Sequence, residues 1–123
     1  MTNFLITGAN SDIGVACIQK IVDSKGSVIA IHRNLGDELT RLCRKHPSKI
    51  ELVKLDFTYL NQVDSLLELV EVKKTQVDSF IALAALREEI PYGKTSREDL
   101  MKHIKVNVVP TVFIVQKLGE SMS

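Results

Sequence analysis

The stretch Phe4-Leu5-Ile6-Thr7-Gly8-Ala9-Asn10-Ser11-Asp12-Ile13-Gly14 decides the fold of this chain. Its apolar run leads into a turn that carries Gly8, and the turn opens directly into a helical pattern. Gly8 allows a sharp turn where a Cβ atom would collide, and Gly14 lets the new helix lie close to the strand. The free N–H groups and the positive dipole end of that helix then face an anion. We predict a strand, a phosphate loop and a helix that bind a nucleotide pyrophosphate. The alternative is an ordinary strand-turn-helix corner that binds no ligand.

Asp12 is predicted to be the N-cap of a helix that begins at Ile13, because a carboxylate there accepts hydrogen bonds from free helical N–H groups. Its negative charge lies near the expected phosphates, so the side chain has to point away from them or stay at a distance. The predicted contacts from this loop to a cofactor are Gly8, Asn10, Ser11, Asp12 and Ile13.

Apolar patterns along the rest of the chain predict alternating strands and helices. We expect strands at residues 3–7, 27–31, 50–55 and 79–85, and helices at residues 13–24, 37–45, 60–74, 97–105 and 110–118. The fourth strand is a nearly continuous apolar run, which is typical of a strand buried on both faces. Thr95 and Glu98 have the spacing of a capping box at the fourth helix.

This alternation is the signature of an α/β protein. With right-handed crossovers, it predicts a Rossmann-type, doubly wound parallel sheet with strand order 3-2-1-4. The ligand site then falls at the carboxyl ends of the first and fourth strands, where the order reverses. The loop at residues 7–14 lies at that place, so two independent patterns indicate the same site.

Length and composition fit one globular domain of 123 residues. The formal net charge of +1 gives no sign of a nucleic-acid or membrane partner, and no apolar run approaches a membrane span. The first residues lack the basic region of a signal peptide, so we expect a cytoplasmic protein. Cys17 and Cys43 are isolated on helical apolar faces and are expected to be reduced core residues.

The end of the second strand predicts which nicotinamide cofactor is preferred. Folds that select NAD place a carboxylate near here for the ribose 2′-hydroxyl, whereas NADP-binding folds place a cation for the 2′-phosphate. His32 stands where that carboxylate is expected, and Arg33 offers a planar fork of donors suited to phosphate. We predict that Arg33 binds the 2′-phosphate of NADP, helped by Ser11 and Asn34, and that NAD binds less well. The alternative is that Arg33 is a solvated surface residue.

These motifs resemble those of the classical short-chain dehydrogenase/reductase family, whose loop reads Thr-Gly, three residues, Gly, any residue, Gly. Thr7, Gly8, Ile13 and Gly14 match, and Asp12 stands in place of the middle glycine. The resemblance implies an oxidoreductase that transfers hydride between nicotinamide and a carbonyl or alcohol.

The resemblance also implies cofactor contacts after the third and fourth strands. Asp56 would hold the adenine amino group and the Phe57 backbone would line the adenine pocket, although Asp56 taken alone is more typical of a turn or a cap. Ala82 and Ala84 fall in the segment that reads Asn-Asn-Ala-Gly in the family, of which only Ala84 is kept. The backbone there could still pass along the ribose.

Asn107 lies where the family has an Asn that breaks a helix and supports a proton relay to the catalytic Lys. A plain helical Asn, or a cap before Pro110, is the equal alternative. The family's catalytic Ser and Tyr-x-x-x-Lys have no counterpart, because the residues four positions after the two tyrosines are Val63 and Ser96.

We therefore expect this chain to be the cofactor half of the family's domain, inactive alone. The alternative is a non-catalytic Rossmann module that acts as a nucleotide sensor or as a scaffold for a protein partner. The apolar last helix and the exposed edge of the fourth strand predict a homo-oligomer. His32, His46 and His103 lie far apart in the sequence, so no metal site is expected.

Overall fold

The computed structural model describes residues 2–85 and 91–120. Their helices and strands follow in the predicted order. They are β1 (Asn3–Thr7), α1 (Asp12–Asp23), β2 (Ser27–His32), α2 (Asp37–Lys45), β3 (Ile50–Lys54), α3 (Leu60–Lys73), a short 3-10 turn (Lys74–Gln76), β4 (Ser79–Ala82), α4 (Arg97–Asn107) and α5 (Val109–Gly119).

The four strands form a parallel sheet in the order β3-β2-β1-β4, which confirms the predicted Rossmann-type topology. Leu5 of β1 lies opposite Ile29 of β2 and Phe80 of β4. Because all strands run in one direction, their carboxyl ends meet at one edge of the sheet. The loops that follow β1, β2, β3 and β4 all start at this edge.

The core consists of two apolar layers, one on each face of the sheet. Successive side chains of a strand point to opposite faces, so Leu5 packs with Leu66 of α3 and Ile114 of α5, while Ile6 packs with helices α1 and α2. Cys17 and Cys43 are half-buried against the second layer and are not joined to each other. No helix in the described ranges is long and apolar enough to cross a membrane.

Two helix caps differ from the predictions by one residue. Ser11, not Asp12, is the N-cap of α1, and its hydroxyl accepts a hydrogen bond from the Gly14 N–H at 3.0 Å. The capping box of α4 joins Ser96 and Asp99, not Thr95 and Glu98, through bonds of 3.0 and 3.1 Å. In both places two adjacent polar residues could cap the helix, so composition alone does not fix its start.

The fourth strand is shorter and less buried than predicted. It ends at Ala82 instead of residue 85, its residues are half-buried, and Ala82 is exposed. In the described part of the sheet β4 is an edge strand that pairs only with β1. The apolar run therefore continues past the last strand residue into a segment that crosses the carboxyl edge.

The break between the last two helices, predicted near Asn107, is confirmed. Helix α4 ends at Asn107 and α5 begins at Val109.

Gly14 closes the corner between β1 and α1. A Cβ atom at this position would lie 2.5 Å from the Gly8 carbonyl oxygen and 2.7 Å from that of Ala9. Real Cβ atoms do not approach backbone oxygens so closely, and the loop backbone has little freedom to move. The first turn of α1 therefore packs against the loop at a distance that only glycine permits.

We predict that Gly14→Ala destabilises the protein by about 1–3 kcal/mol, because overpacking forces the backbone to shift. In an unhindered helix the same change stabilises by up to about 1 kcal/mol, so the sign of the effect is diagnostic. Gly119→Ala is the matched control, since nothing lies within 4 Å of its added Cβ. Urea unfolding of the three proteins measures the difference, and a Gly14→Ala protein as stable as wild type would contradict the packing argument.

Candidate functional site

A cleft of about 220 Å³ opens at the carboxyl edge of the sheet, between the β1–α1 loop, the ends of β2 and β3, and the segment after β4. This is smaller than the roughly 300–1,000 Å³ typical of a whole small-molecule pocket, so it suits part of a longer ligand. Its lining residues are Gly8, Asn10, Ser11, Ile31, His32, Arg33, Asn34, Leu55, Asp56, Phe57, Leu83, Ala84, Ala85 and Val106.

The floor of the cleft is the loop that ends in the N-terminus of α1. The Ser11 hydroxyl donates to the Gly8 carbonyl at 2.9 Å while it accepts from Gly14, so this side chain is held in place. Asp12 is exposed and lines a separate groove between α1 and α2. Its charge is therefore directed away from the cleft, and the positive end of the helix dipole is left to act there. Ile13 is 65% exposed and does not line the cleft.

One wall is the segment that leaves β4 and passes over Gly8. Gly8 has a φ of +70°, and a Cβ atom on it would lie 2.5 Å from the carbonyl carbon of Leu83 and 2.6 Å from the amide nitrogen of Ala84. The buried Thr7 hydroxyl accepts hydrogen bonds from both amides, each at 3.3 Å. Sequence reasoning gave Thr7 no such role, although a polar residue at the end of a buried strand is a signal for it.

Asn10 joins two loops of the site. Its side-chain oxygen accepts a hydrogen bond of 2.8 Å from the N–H of Gly36, the N-cap of α2. The contact between Asn10 and a cofactor remains a prediction. The side-chain oxygen of Asn10 already has a partner within the protein, so a cofactor would compete with Gly36 for it. The bond fixes the β1–α1 loop relative to the residues that follow β2.

Asp56 lies on the opposite wall and is held by a tight turn. Its Oδ1 accepts from the Thr58 N–H at 2.9 Å and from the Thr58 hydroxyl at 2.7 Å. Burial alone would raise the pKa of Asp56, but these two donors outweigh it and lower the pKa. The positive charges of Arg33 and Lys102 act in the same direction. Asp56 is therefore a carboxylate at neutral pH and is suited to accept a hydrogen bond from an amino group.

Arg33 and Asn34 are exposed at the mouth of the cleft. Both also line a second depression, here called the outer groove, which continues the cleft over the ends of β2 and β3. The outer groove is lined by Arg33, Asn34, Lys54, Leu55, Asp56, Tyr59 and Gln62. A ligand in the cleft can thus extend past Arg33 into the outer groove.

His32 also lines the cleft, although the sequence predicted no cofactor contact from it. It is only 6% exposed, and its Nδ1 has no hydrogen-bond partner among residues 2–85 and 91–120. Burial lowers the pKa of His32 and the charge of Lys54 lowers it further, while the backbone of Asn34 acts in the opposite direction. The ring is therefore neutral at pH 7, so Arg33 is the permanent cation at this end of β2.

The remaining predicted residues divide between the cleft and its surroundings. Phe57 and Ala84 line the cleft, whereas Ala82, the last residue of β4, does not. Asn107 is the last residue of α4 and lies next to the cleft residue Val106 without lining the cleft itself. Other lining residues that the sequence did not reveal are Ile31, Leu55, Leu83, Ala85 and Val106. No metal-binding group of three or more His, Cys, Asp or Glu side chains occurs in the described part of the chain.

Several solved structures share this architecture. One from Streptomyces avermitilis has a TM-score of 0.83 at 22% identity, over 98% of this chain and 45% of that protein. A short-chain dehydrogenase/reductase from Burkholderia multivorans with bound NADP has a TM-score of 0.79 at 19% identity, over 99% and 54% of the two chains. A 4-hydroxyisoleucine dehydrogenase complexed with NADH has a TM-score of 0.78 at 26% identity, over 98% and 49%.

The chain thus spans about half the length of these solved structures. Comparison with curated proteins gives no match. The family model described as short chain dehydrogenase matches residues 2–123. Because that match extends over nearly the whole sequence, the chain belongs to the short chain dehydrogenase family.

Proposed function

We propose that residues 1–123 form a single NADP(H)-binding Rossmann domain of an oxidoreductase that transfers hydride between nicotinamide and a carbonyl or alcohol. The observation that carries this proposal is the position of Arg33, at the mouth of a cleft whose floor is the N-terminus of α1. Family membership and two neighbours with bound NADP or NADH support a nicotinamide dinucleotide as the ligand.

In this proposal the pyrophosphate lies on the floor formed by Gly8 and Ser11, where free helical N–H groups and the dipole favour anions. The adenine lies beside Phe57, and the carboxylate of Asp56 accepts from its amino group. The ribose passes along the backbone of Ala84. Each of these residues lines the same cleft, so one extended ligand can contact all of them.

The preference for NADP follows from the charges around the end of β2. NAD binders place a carboxylate near this point, but here the buried, neutral His32 takes that place and Arg33 supplies a positive charge. The Arg33 guanidinium can donate two parallel hydrogen bonds to a phosphate. The carboxylate of Asp56 offsets part of the positive field of Arg33.

We predict that NADP binds roughly 10- to 100-fold more tightly than NAD, since a charge-assisted hydrogen bond contributes about 1.5–3 kcal/mol. Arg33→Ala should remove most of this difference and leave NAD binding nearly unchanged. Arg44→Ala, an exposed arginine in the last turn of α2, is the matched control and should change neither affinity. Titration calorimetry with both cofactors tests this. Equal wild-type affinities, or an equal loss for both cofactors, would show that Arg33 does not bind the 2′-phosphate.

We further predict that the purified 123-residue chain does not oxidise alcohols or reduce carbonyls with either cofactor. A Tyr acts as a general acid near neutral pH only if a neighbouring cation lowers its pKa, and neither Tyr59 nor Tyr92 is followed by Lys four residues later. Asn107 would then have no Lys to serve by a proton relay. Absorbance at the reduced-nicotinamide band across a panel of small carbonyls measures turnover, and activity that copurifies with this chain would disprove the claim.

We also propose that this chain associates with itself through α4, α5 and the β4 edge. Both helices expose large apolar side chains, whereas Leu118 of α5 is buried in the core. The exposed residues are Leu100, Met101, Ile104, Val108, Val112, Phe113 and Val115. Exposed apolar surface of this kind favours pairing with another chain.

The expected species in sedimentation at micromolar concentration is therefore a dimer or a larger oligomer. Phe113→Glu should shift it towards the monomer, because an uncompensated charge in an apolar interface is costly to bury. Gln116→Glu adds the same charge at an exposed, already polar position of α5 and should leave the distribution unchanged. A wild-type protein that sediments as a single monomeric species would refute the proposal.

A further inference from the structure

Lys54 lines the outer groove and has no role in the cofactor contacts proposed above. It is the last residue of β3, and its Cα partner in β2 is His32. Partners on neighbouring parallel strands direct their side chains to the same face of the sheet, so Lys54 lies beside His32 and next to the strand end that carries Arg33. The effect of the Lys54 charge on the pKa of His32 agrees with this placement.

The end of β3 is held rigidly, so Lys54 emerges from a fixed point. The Leu55 N–H donates to the His32 carbonyl at 2.9 Å, and the Asp56 N–H donates to the Gln62 side-chain oxygen at 2.5 Å. The stem of Lys54 therefore starts on the sheet, and the outer groove needs no backbone rearrangement to present the ammonium group. A preorganised contact of this kind loses less entropy on binding than a loop contact does.

The outer groove has an excess of positive charge. Arg33 and Lys54 are its two permanent cations, and neither forms an ion pair with a side chain in the described ranges. The carboxylate of Asp56 is its one anionic group, and Thr58 occupies one of its oxygens. A phosphate monoester carries between one and two negative charges at neutral pH, so it would balance this excess.

We propose that Lys54 is a second cationic contact for the 2′-phosphate of NADP, in addition to Arg33. This inference rests on the proposed function. The planar guanidinium and the compact ammonium group have different geometries, so they would contact different phosphate oxygens. Cofactor preference then depends on residues from two strands instead of one, with Lys54 acting as a specificity-determining residue.

The test is the affinity of Lys54→Gln for NADP and for NAD, measured by titration calorimetry on the full chain. We expect NADP binding to weaken roughly 3- to 10-fold and NAD binding to stay unchanged, because one partly solvated ion pair is lost. Lys45→Gln is the matched control, since this exposed lysine lies in the last turn of α2 and lines neither the cleft nor the outer groove. The NADP affinity of Lys54→Gln should also depend less on salt than that of the wild type.

A second measurement, made without any cofactor, tests whether the Lys54 charge lies beside His32. Titration of the imidazole resonances should show a higher pKa for His32 in Lys54→Gln than in the wild type, because a neighbouring positive charge is removed. Inorganic phosphate is a further probe, since it supplies the same anion without the adenosine. Phosphate that binds as well as adenosine 2′,5′-bisphosphate would show an isolated anion site and would overturn the assignment to NADP.

The cofactor affinities of the wild type and the two variants distinguish a failure of the Lys54 role from a failure of the proposed function. A wild type that binds neither nicotinamide cofactor refutes both. A wild type whose NADP preference is lost in Arg33→Ala but unchanged in Lys54→Gln leaves the proposed function standing and refutes the role of Lys54. Loss of part of the preference in each variant, with no effect of Lys45→Gln, supports both.

Discussion

The contact between the backbone of Gly8 and that of Leu83 is the constraint on which the rest of the site depends. No Cβ atom fits between them, and Gly8 takes a positive φ that other residues rarely adopt. The Thr7 hydroxyl then binds the two amides that pass above it. This arrangement brings the segment after β4 over the β1–α1 loop. The cleft therefore forms at the carboxyl edge, where the strand order reverses.

The same geometry determines where positive and negative charges lie around the cleft. The loop after β1 forms the floor of the cleft at the positive end of the α1 dipole, while Arg33 lies at its mouth and Lys54 lines the outer groove. Asp12 lies on the far side of the loop, in the groove between α1 and α2. Positive charge is therefore found at two separated points, and the carboxylate of Asp56 lies near the outer of them. The proposed NADP, with phosphates at both ends of a nucleoside, would match that distribution.

Local patterns predicted most helix limits, because those limits depend on residues close in sequence. The rule of right-handed crossovers then predicted the sheet order. The caps at Ser11 and Ser96 were missed by one residue, since neighbouring polar residues compete for the same role. The length of β4 was overestimated because an apolar run continues beyond the last strand pairing. The partners of Thr7 and Asn10 lie on other segments, and the unpaired Nδ1 of His32 depends on packing around it. Those features need the tertiary structure.

The hydrogen bond between Asn10 and Gly36 has a consequence for grafting loops between relatives. It joins the segment under the expected pyrophosphate to the segment that follows Arg33, and a Cβ atom at Gly36 would lie 2.9 Å from the Asn10 oxygen. Neither segment is an independent module. An engineer who exchanges the residues after β2 to alter cofactor choice must transfer the matching residue at position 10 as well. In evolution the two positions should change together or not at all.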